Sequence, residues 1–178
     1  MPRLELVITE GEIKTIISEI AAKIGAKYKG ESVVLVGILK GSFVFIADLI
    51  REIERQKQLK DCYVDFLRYS SYHDGRTSGE IRLDFDSSEP LAGKHVILVE
   101  DVADTLKTIH TAIAHLKTKK PLSVCAAAFF AKPDKHQYPA TDLHFIGVSR
   151  TDAGYLVGYG MDDQGRLRGI PHIARVIE

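Results

Sequence analysis

His95-Val96-Ile97-Leu98-Val99-Glu100-Asp101-Val102-Ala103-Asp104-Thr105-Leu106-Lys107-Thr108 decides how this chain folds. The run up to Val99 is apolar without alternation and reads as a strand over His95 to Glu100, buried on both faces of a parallel sheet. It ends on acids, then passes to hydroxyls at the start of a helical period, Ile109, Ala112, Ile113 and Leu116. The same grammar recurs on both sides. Ser32 to Leu39 is another buried strand, followed by Lys40-Gly41-Ser42 and a helical period from Phe43 to Arg55. Asp61 to Tyr69, Ser123 to Phe130 and His144 to Ser149 read as further strands, and Tyr155 to Gly160 as a shorter one. Near the start, Thr9 and Glu12 stand at capping-box spacing. Ile13, Ile16, Ile17, Ile20, Ala21 and Ile24 then mark an amphipathic helix, with Gly25 and Gly30 around its end. Strands alternating with helices predict an α/β fold with a central, mainly parallel sheet flanked by helices.

The length, 178 residues, suits one domain over 1–178 with a sizeable core. Lys+Arg and Asp+Glu are both 24, so the net charge is zero. That balance argues against a generally basic nucleic-acid binder and against an acidic disordered chain. The sequence has no apolar run long enough for a membrane helix and no secretory leader. Cys62 and Cys125 sit in apolar runs and read as reduced core residues, which places the protein in a cytoplasm.

Ligands of parallel α/β sheets sit beyond the carboxyl ends of the strands. After Val99 stand Glu100, Asp101 and Asp104, then Thr105, Lys107 and Thr108 at a helix start. Adjacent acids there need a cation or hydroxyls to offset them, while helix-start amides and hydroxyls suit a phosphate. A ribose 5-phosphate fits both halves. A plain helix cap at Asp104 or Thr105, with Glu100 and Asp101 solvated, fits the segment equally well on local grounds. Lys40-Gly41-Ser42 suits an anion approaching backbone, or an ordinary strand-to-helix turn. Ser70 to Gly79 is a polar stretch, either a lid or an exposed hairpin tip, and Ile81 to Phe85 alternates like the returning arm of a hairpin. Lys132 precedes Pro133 at a strand end and suits either an ordinary surface lysine or a donor to a carbonyl oxygen of a ligand, and Tyr155 suits either a core or rim aromatic or stacking on a planar base. Two nucleotide motifs fail. Gly37 to Ser42 lacks the Walker order, and Gly158-Tyr159-Gly160 has Asp163 where a dinucleotide fingerprint needs its last glycine.

Taken in order, these segments resemble the hypoxanthine-guanine phosphoribosyltransferases, over about Val33 to Ile173. Val99 to Thr105 looks like the family's phosphoribosyl-diphosphate loop and Leu39-Lys40-Gly41 like its diphosphate loop. Ser71-Tyr72 matches the start of its flexible catalytic loop. Val157 to Asp162 and Arg168 to Pro171 match its C-terminal signature. The resemblance implies a type I phosphoribosyltransferase fold with a small hood and a flexible hairpin loop. It implies transfer of a phosphoribosyl group from phosphoribosyl diphosphate to a purine base, with Mg²⁺, in a homodimer or homotetramer. By the same resemblance, Glu100 and Asp101 hold the ribose hydroxyls, directly or through Mg²⁺. Asp104 is the general base and acid at purine N7. Thr105, Leu106, Lys107 and Thr108 cradle the 5-phosphate. A cis Leu39–Lys40 peptide with Gly41 binds diphosphate, and Arg168 pairs with it. Lys132 donates to the 6-oxo group and Tyr155 stacks on the base. The carbonyls of Leu156 and Asp162 accept from guanine's amino group, and Asp162 also reaches a second Mg²⁺ through water.

Some positions depart from the family pattern. Leu106 stands where glycine is usual, so a side chain there either crowds the phosphate or takes an unusual backbone angle. Lys135 or His136 replaces an arginine, Asp163 a tyrosine, and Tyr155 a frequent phenylalanine. Thr151 to Gly154 replaces a common Ile-Pro-Asp-Glu. Two alternatives stay open: an enzyme that prefers xanthine, and a regulator that kept the fold and senses phosphoribosyl diphosphate without catalysis.

Overall fold

A computed structural model of the chain describes residues 2–71 and 81–177, except the side chain of Ser71. In chain order the elements are β1 (Arg3–Ile8), α1 (Glu10–Lys27), β2 (Ser32–Leu39), α2 (Phe43–Gln56), β3 (Asp61–Ser71) and β4 (Ile81–Phe85). There follow β5 (His95–Ala103), α3 (Lys107–Lys117), β6 (Ser123–Ala131), β7 (Leu143–Ser149), β8 (Leu156–Val157) and β9 (Ile173–Ile177). A short 3-10 turn covers Pro133–Lys135.

Six strands form the main sheet in the order β4-β3-β2-β5-β6-β7. All neighbours run parallel except β3 and β4, which pair antiparallel from Arg68↔Phe85 to Ser71↔Ile81. Successive side chains on a strand point to opposite faces, and the core divides accordingly. Val33, Leu35, Ile97, Val99, Cys125, Ala127 and Phe129 meet α1 and α2 through Ile13, Ile17, Ile20, Phe45 and Leu49. Val34, Val36, Ile38, Val96, Leu98, Ala126 and Ala128 meet α3 through Ile109, Ala112, Ile113 and Leu116. A sheet covered on both faces explains why its central strands read as unbroken apolar runs. The capping box of α1 is present: the Thr9 hydroxyl accepts the Glu12 amide and the Glu12 carboxylate accepts the Thr9 amide.

A smaller antiparallel sheet, β1-β9-β8, forms the hood. Neither β1 nor β9 was expected, because short runs whose pairing partners lie at opposite ends of the chain carry little local signal. Here Arg3 pairs with Ile177 and Leu4 with Val176, and Arg175 forms an ion pair with Glu5 at 2.6 Å.

Three expectations need correction. The strand expected over Tyr155 to Gly160 stops at Val157, because Gly158, Tyr159 and Gly160 take φ of +88°, +50° and +97°. No extended strand accommodates that run. The strand expected to end at Glu100 continues to Ala103, since Val102 and Ala103 still pair with Phe130 and Ala131 on β6. Glu100 and Asp101 are therefore strand residues. Ser70 and Ser71, expected to open a loop, are paired in β3 with Arg82 and Ile81. The rest of that stretch, with Tyr72, lies outside the described residues.

Phe129 is fully buried and meets Phe45 edge-on at 5.5 Å and Tyr159 at 5.0 Å between ring centroids. It joins α2, the sheet and the Gly158–Gly160 turn. Phe129→Ala is expected to lower stability by about 3–5 kcal/mol in urea unfolding; a loss below about 1 kcal/mol would show that this junction bears little of the packing.

Candidate active site

The parallel strands end together, and the loops after β2, β5 and β6 face one another across the sheet top. After β2 the Leu39–Lys40 peptide is cis. The turn is fixed by the fully buried Ser42, whose hydroxyl donates to the Ile38 carbonyl at 2.7 Å. At Gly41 an added Cβ would fall on the Asp101 carboxylate of β5, so a larger residue there would push that side chain aside. Gly160, at φ +97°, comes as close to the Gly41 carbonyl from the other side. Only glycine permits both the conformation and the approach.

On β5 the Glu100 side chain is buried, and its carboxyl accepts the Asp101 amide at 3.2 Å. Burial pushes the Glu100 carboxyl well above its usual range, with the neighbouring Asp101 charge adding to it. The solvated-acid alternative therefore fails for Glu100. Asp101 is half-buried and accepts the Val102 amide at 2.9 Å.

The loop into α3 answers the question raised by Leu106. The residue sits at the helix N-cap with φ +67° and ψ +1°, the conformation that favours glycine. Its side chain is buried among Ile109, Ile113 and Leu143. It therefore turns into the core and leaves the amide side of the loop clear. Neither Asp104 nor Thr105 is the cap. The Thr105 hydroxyl instead accepts the Lys107 amide at 3.4 Å. Glu100, Thr105, Lys107 and Thr108 line a cleft of about 390 Å³ with Ile38, Tyr69, Ser70 and Ile81. Tyr69 was not foreseen. Its hydroxyl is buried without a hydrogen-bond partner among the described residues, and burial with the nearby Asp86 charge pushes the phenol up to about 12. Nothing in the sequence separates it from any other strand aromatic.

At the end of β6, Lys132 is buried. Its ammonium donates to the Gly154 carbonyl at 2.8 Å and lies 3.5 Å from Asp104, whose side chain is half exposed. One residue on from Gly154, the Tyr155 hydroxyl donates to the Asp162 backbone carbonyl at 2.8 Å. Asp162 Oδ1 pairs with Arg168 at 2.5 Å, and Oδ2 accepts the Gly165 amide at 2.6 Å. Arg168 also donates to the Gly160 carbonyl at 2.6 Å. Leu156 is on β8, opposite Arg175. A chain of contacts thus runs from Asp104 through Lys132, Gly154, Tyr155, Asp162, Arg168 and Gly160 to Gly41, Asp101 and Glu100. It links the ends of β2, β5 and β6 with the segment between β7 and β9, while Thr105, Lys107 and Thr108 line the adjoining cleft with Glu100, and Leu39, Lys40 and Leu156 neighbour Gly41 and Tyr155 in the chain. Tyr72 and the Ser71 side chain lie outside the description.

The arrangement offers paired carboxylates, a helix start rich in amides and hydroxyls, a lysine beside a carboxylate, and an aromatic side chain one residue past that lysine's carbonyl acceptor. It suits a ligand with sugar hydroxyls, a phosphate and a planar base bearing a carbonyl oxygen. A second cleft of about 390 Å³ lies between α1 and α2, lined by Lys14, Ile17, Asp48, Arg51, Glu52 and Arg55. It has no glycine turn and no strand end.

Comparison with known proteins points the same way. A family model of the phosphoribosyl transferase domain matches residues 8–164. The chain is 37% identical over 177 residues to a hypoxanthine phosphoribosyltransferase of Escherichia coli K12, covering 98% of this chain and 96% of the relative. It is 34% identical over 176 residues to a hypoxanthine-guanine phosphoribosyltransferase of Aquifex aeolicus, covering 98% and 95%. The crystal structure of a hypoxanthine-guanine phosphoribosyltransferase from Bacillus anthracis superposes with a TM-score of 0.88 at 32% identity, over 99% of both chains.

The buried, left-handed Leu106 yields an unusual order of variants. Leu106→Ala keeps the strained conformation and loses the packing, so stability should fall by about 2–5 kcal/mol. Leu106→Gly should lose less, because glycine takes positive φ freely. If alanine were tolerated better than glycine in denaturant titrations, the conformation assigned to Leu106 would be wrong.

Proposed function

The chain belongs to the phosphoribosyltransferase family, and on that premise we propose that the gathered residues carry out its reaction. The protein is a transferase of purine salvage. It moves the 5-phosphoribosyl group from phosphoribosyl diphosphate to N9 of hypoxanthine or guanine, giving IMP or GMP and diphosphate. The observation that carries this reading is the Lys132–Asp104 pair near Tyr155, with Asp104 lining one pocket with Glu100, Thr105 and Thr108.

The roles are those the family resemblance implies, and the positions of the residues support them. The amides and hydroxyls of Thr105, Leu106, Lys107 and Thr108 hold the 5-phosphate at the helix start. Glu100 and Asp101 hold the ribose hydroxyls. Leu39, Lys40 and Gly41 present backbone to the diphosphate, and Arg168 adds its charge. Lys132 donates to the 6-oxo group, Tyr155 stacks on the base, and the Leu156 and Asp162 carbonyls line its far edge. The C1–oxygen bond to diphosphate breaks as N9 forms its bond to C1, through an oxocarbenium-like transition state. Asp104 takes the proton from N7, a task that needs placement before pKa. Ser71 and Tyr72 help keep water from the charged ribose.

The family generally depends on Mg²⁺. Two adjacent carboxylates, with sugar and phosphate oxygens completing the shell, fit such a hard cation. Glu100 and Asp101 would hold it, with Asp162 reaching a second ion through water. Bound there, Mg²⁺ neutralises charge on the leaving diphosphate. The chain works as one domain, 1–178, in a cytoplasmic homodimer or homotetramer. Among the described residues no helix is long and apolar enough to cross a membrane.

Asp104→Asn should lower kcat for hypoxanthine by about 10²–10⁴-fold, while phosphoribosyl diphosphate still binds in calorimetry. A variant within tenfold of the parent kcat would remove Asp104 from the proton transfer.

A further inference from the structure

Tyr155 is 53% exposed, yet it is tied at both ends. Its backbone carbonyl accepts the Val176 amide at 2.9 Å, and its hydroxyl donates to the Asp162 carbonyl at 2.8 Å. A ring held in this way has little rotamer freedom left to lose when a planar ligand stacks on it. The hydroxyl also occupies an acceptor, which a phenylalanine ring cannot do. With Arg168 on Oδ1 and the Gly165 amide on Oδ2, all three oxygens of Asp162 already accept from within the chain.

We propose that the Tyr155 hydroxyl is a specificity-determining group: by holding the Asp162 carbonyl it biases the enzyme toward a 6-oxopurine with hydrogen at C2 over one with a 2-amino group. The inference rests on the reading above, in which the base stacks on Tyr155 with its 6-oxo group at Lys132 and its C2 edge toward Leu156 and Asp162. Hydrogen at C2 needs no partner. An amino group brings two N–H donors, and leaving one unpaired in a closed site is costly. To reach the Asp162 carbonyl, the amino group must share the oxygen with the Tyr155 hydroxyl or displace it. The second lone pair makes this a bias, not an exclusion. Hypoxanthine is therefore the preferred base and guanine the weaker one.

Tyr155→Phe keeps the ring and removes only the O–H. The test compares kcat/KM for hypoxanthine and for guanine in the parent and the variant at saturating phosphoribosyl diphosphate, with IMP and GMP affinities from calorimetry. The guanine-to-hypoxanthine ratio should rise by about three- to tenfold, the range of one net hydrogen bond. The GMP-to-IMP affinity ratio should move the same way. A merely structural hydroxyl would scale both bases by a common factor. An unchanged or lowered ratio overturns the inference and leaves phosphoribosyl transfer standing. If the parent chain turned over neither base, the underlying reading would fall and the inference with it.

Discussion

The site depends on one close approach. The Asp101 carboxylate occupies the space where any residue but glycine at position 41 would carry its Cβ. Gly160 abuts the Gly41 carbonyl from the hood side. Three segments far apart in sequence are thereby held in contact at the end of the sheet. Next to Asp101 the Glu100 carboxyl is buried, with its ionised form disfavoured by that burial. A buried acid beside a second carboxylate is a poor choice for stability alone. The family generally depends on Mg²⁺, and a cation beside these acids would offset their charge.

The two sheets divide the work. The main sheet supplies the acids, the α3 start and Lys132, all from the ends of parallel strands buried on both faces. Tyr155 and Arg168 stand on either side of the Gly158–Gly160 turn beside the hood, a turn that no regular strand could make. The Tyr159 hydroxyl ties that turn to Asp48 of α2 at 2.8 Å, and its ring packs on Phe129. The Gly158–Gly160 turn is thus anchored in the core that the main sheet forms with α1 and α2. Leu106 shows how a departure from the family pattern is absorbed. The backbone keeps a left-handed angle, and the side chain is stored in the apolar cluster under α3.

Much of this was legible in the sequence, for a physical reason. Strands buried on both faces announce themselves as unbroken apolar runs, and the Thr9–Glu12 cap is a local device. The chemistry-bearing segments lie next to those strands in sequence, so Glu100, Asp101, Asp104, Lys132 and Gly41 could be named before their geometry was known. The illegible part is non-local. β1 and β9 form because the two ends of the chain pair. β5 runs on to Ala103 because β6 is there to receive it. The direction of the Leu106 side chain and the bond from Tyr155 to Asp162 depend on packing between elements, which no spacing rule encodes. Tyr69 entered the site only when the cleft could be seen.

The central claim is that one end of the main sheet grips a phosphorylated sugar and a purine together. A crystal structure of the protein with IMP and Mg²⁺ tests it most directly. The account predicts the 5-phosphate on the amides of residues 105–108 and the purine between Tyr155 and Lys132, with the ribose hydroxyls facing Glu100 and Asp101. A nucleotide seated instead in the cleft between α1 and α2, on Lys14, Arg51 and Arg55, would contradict it.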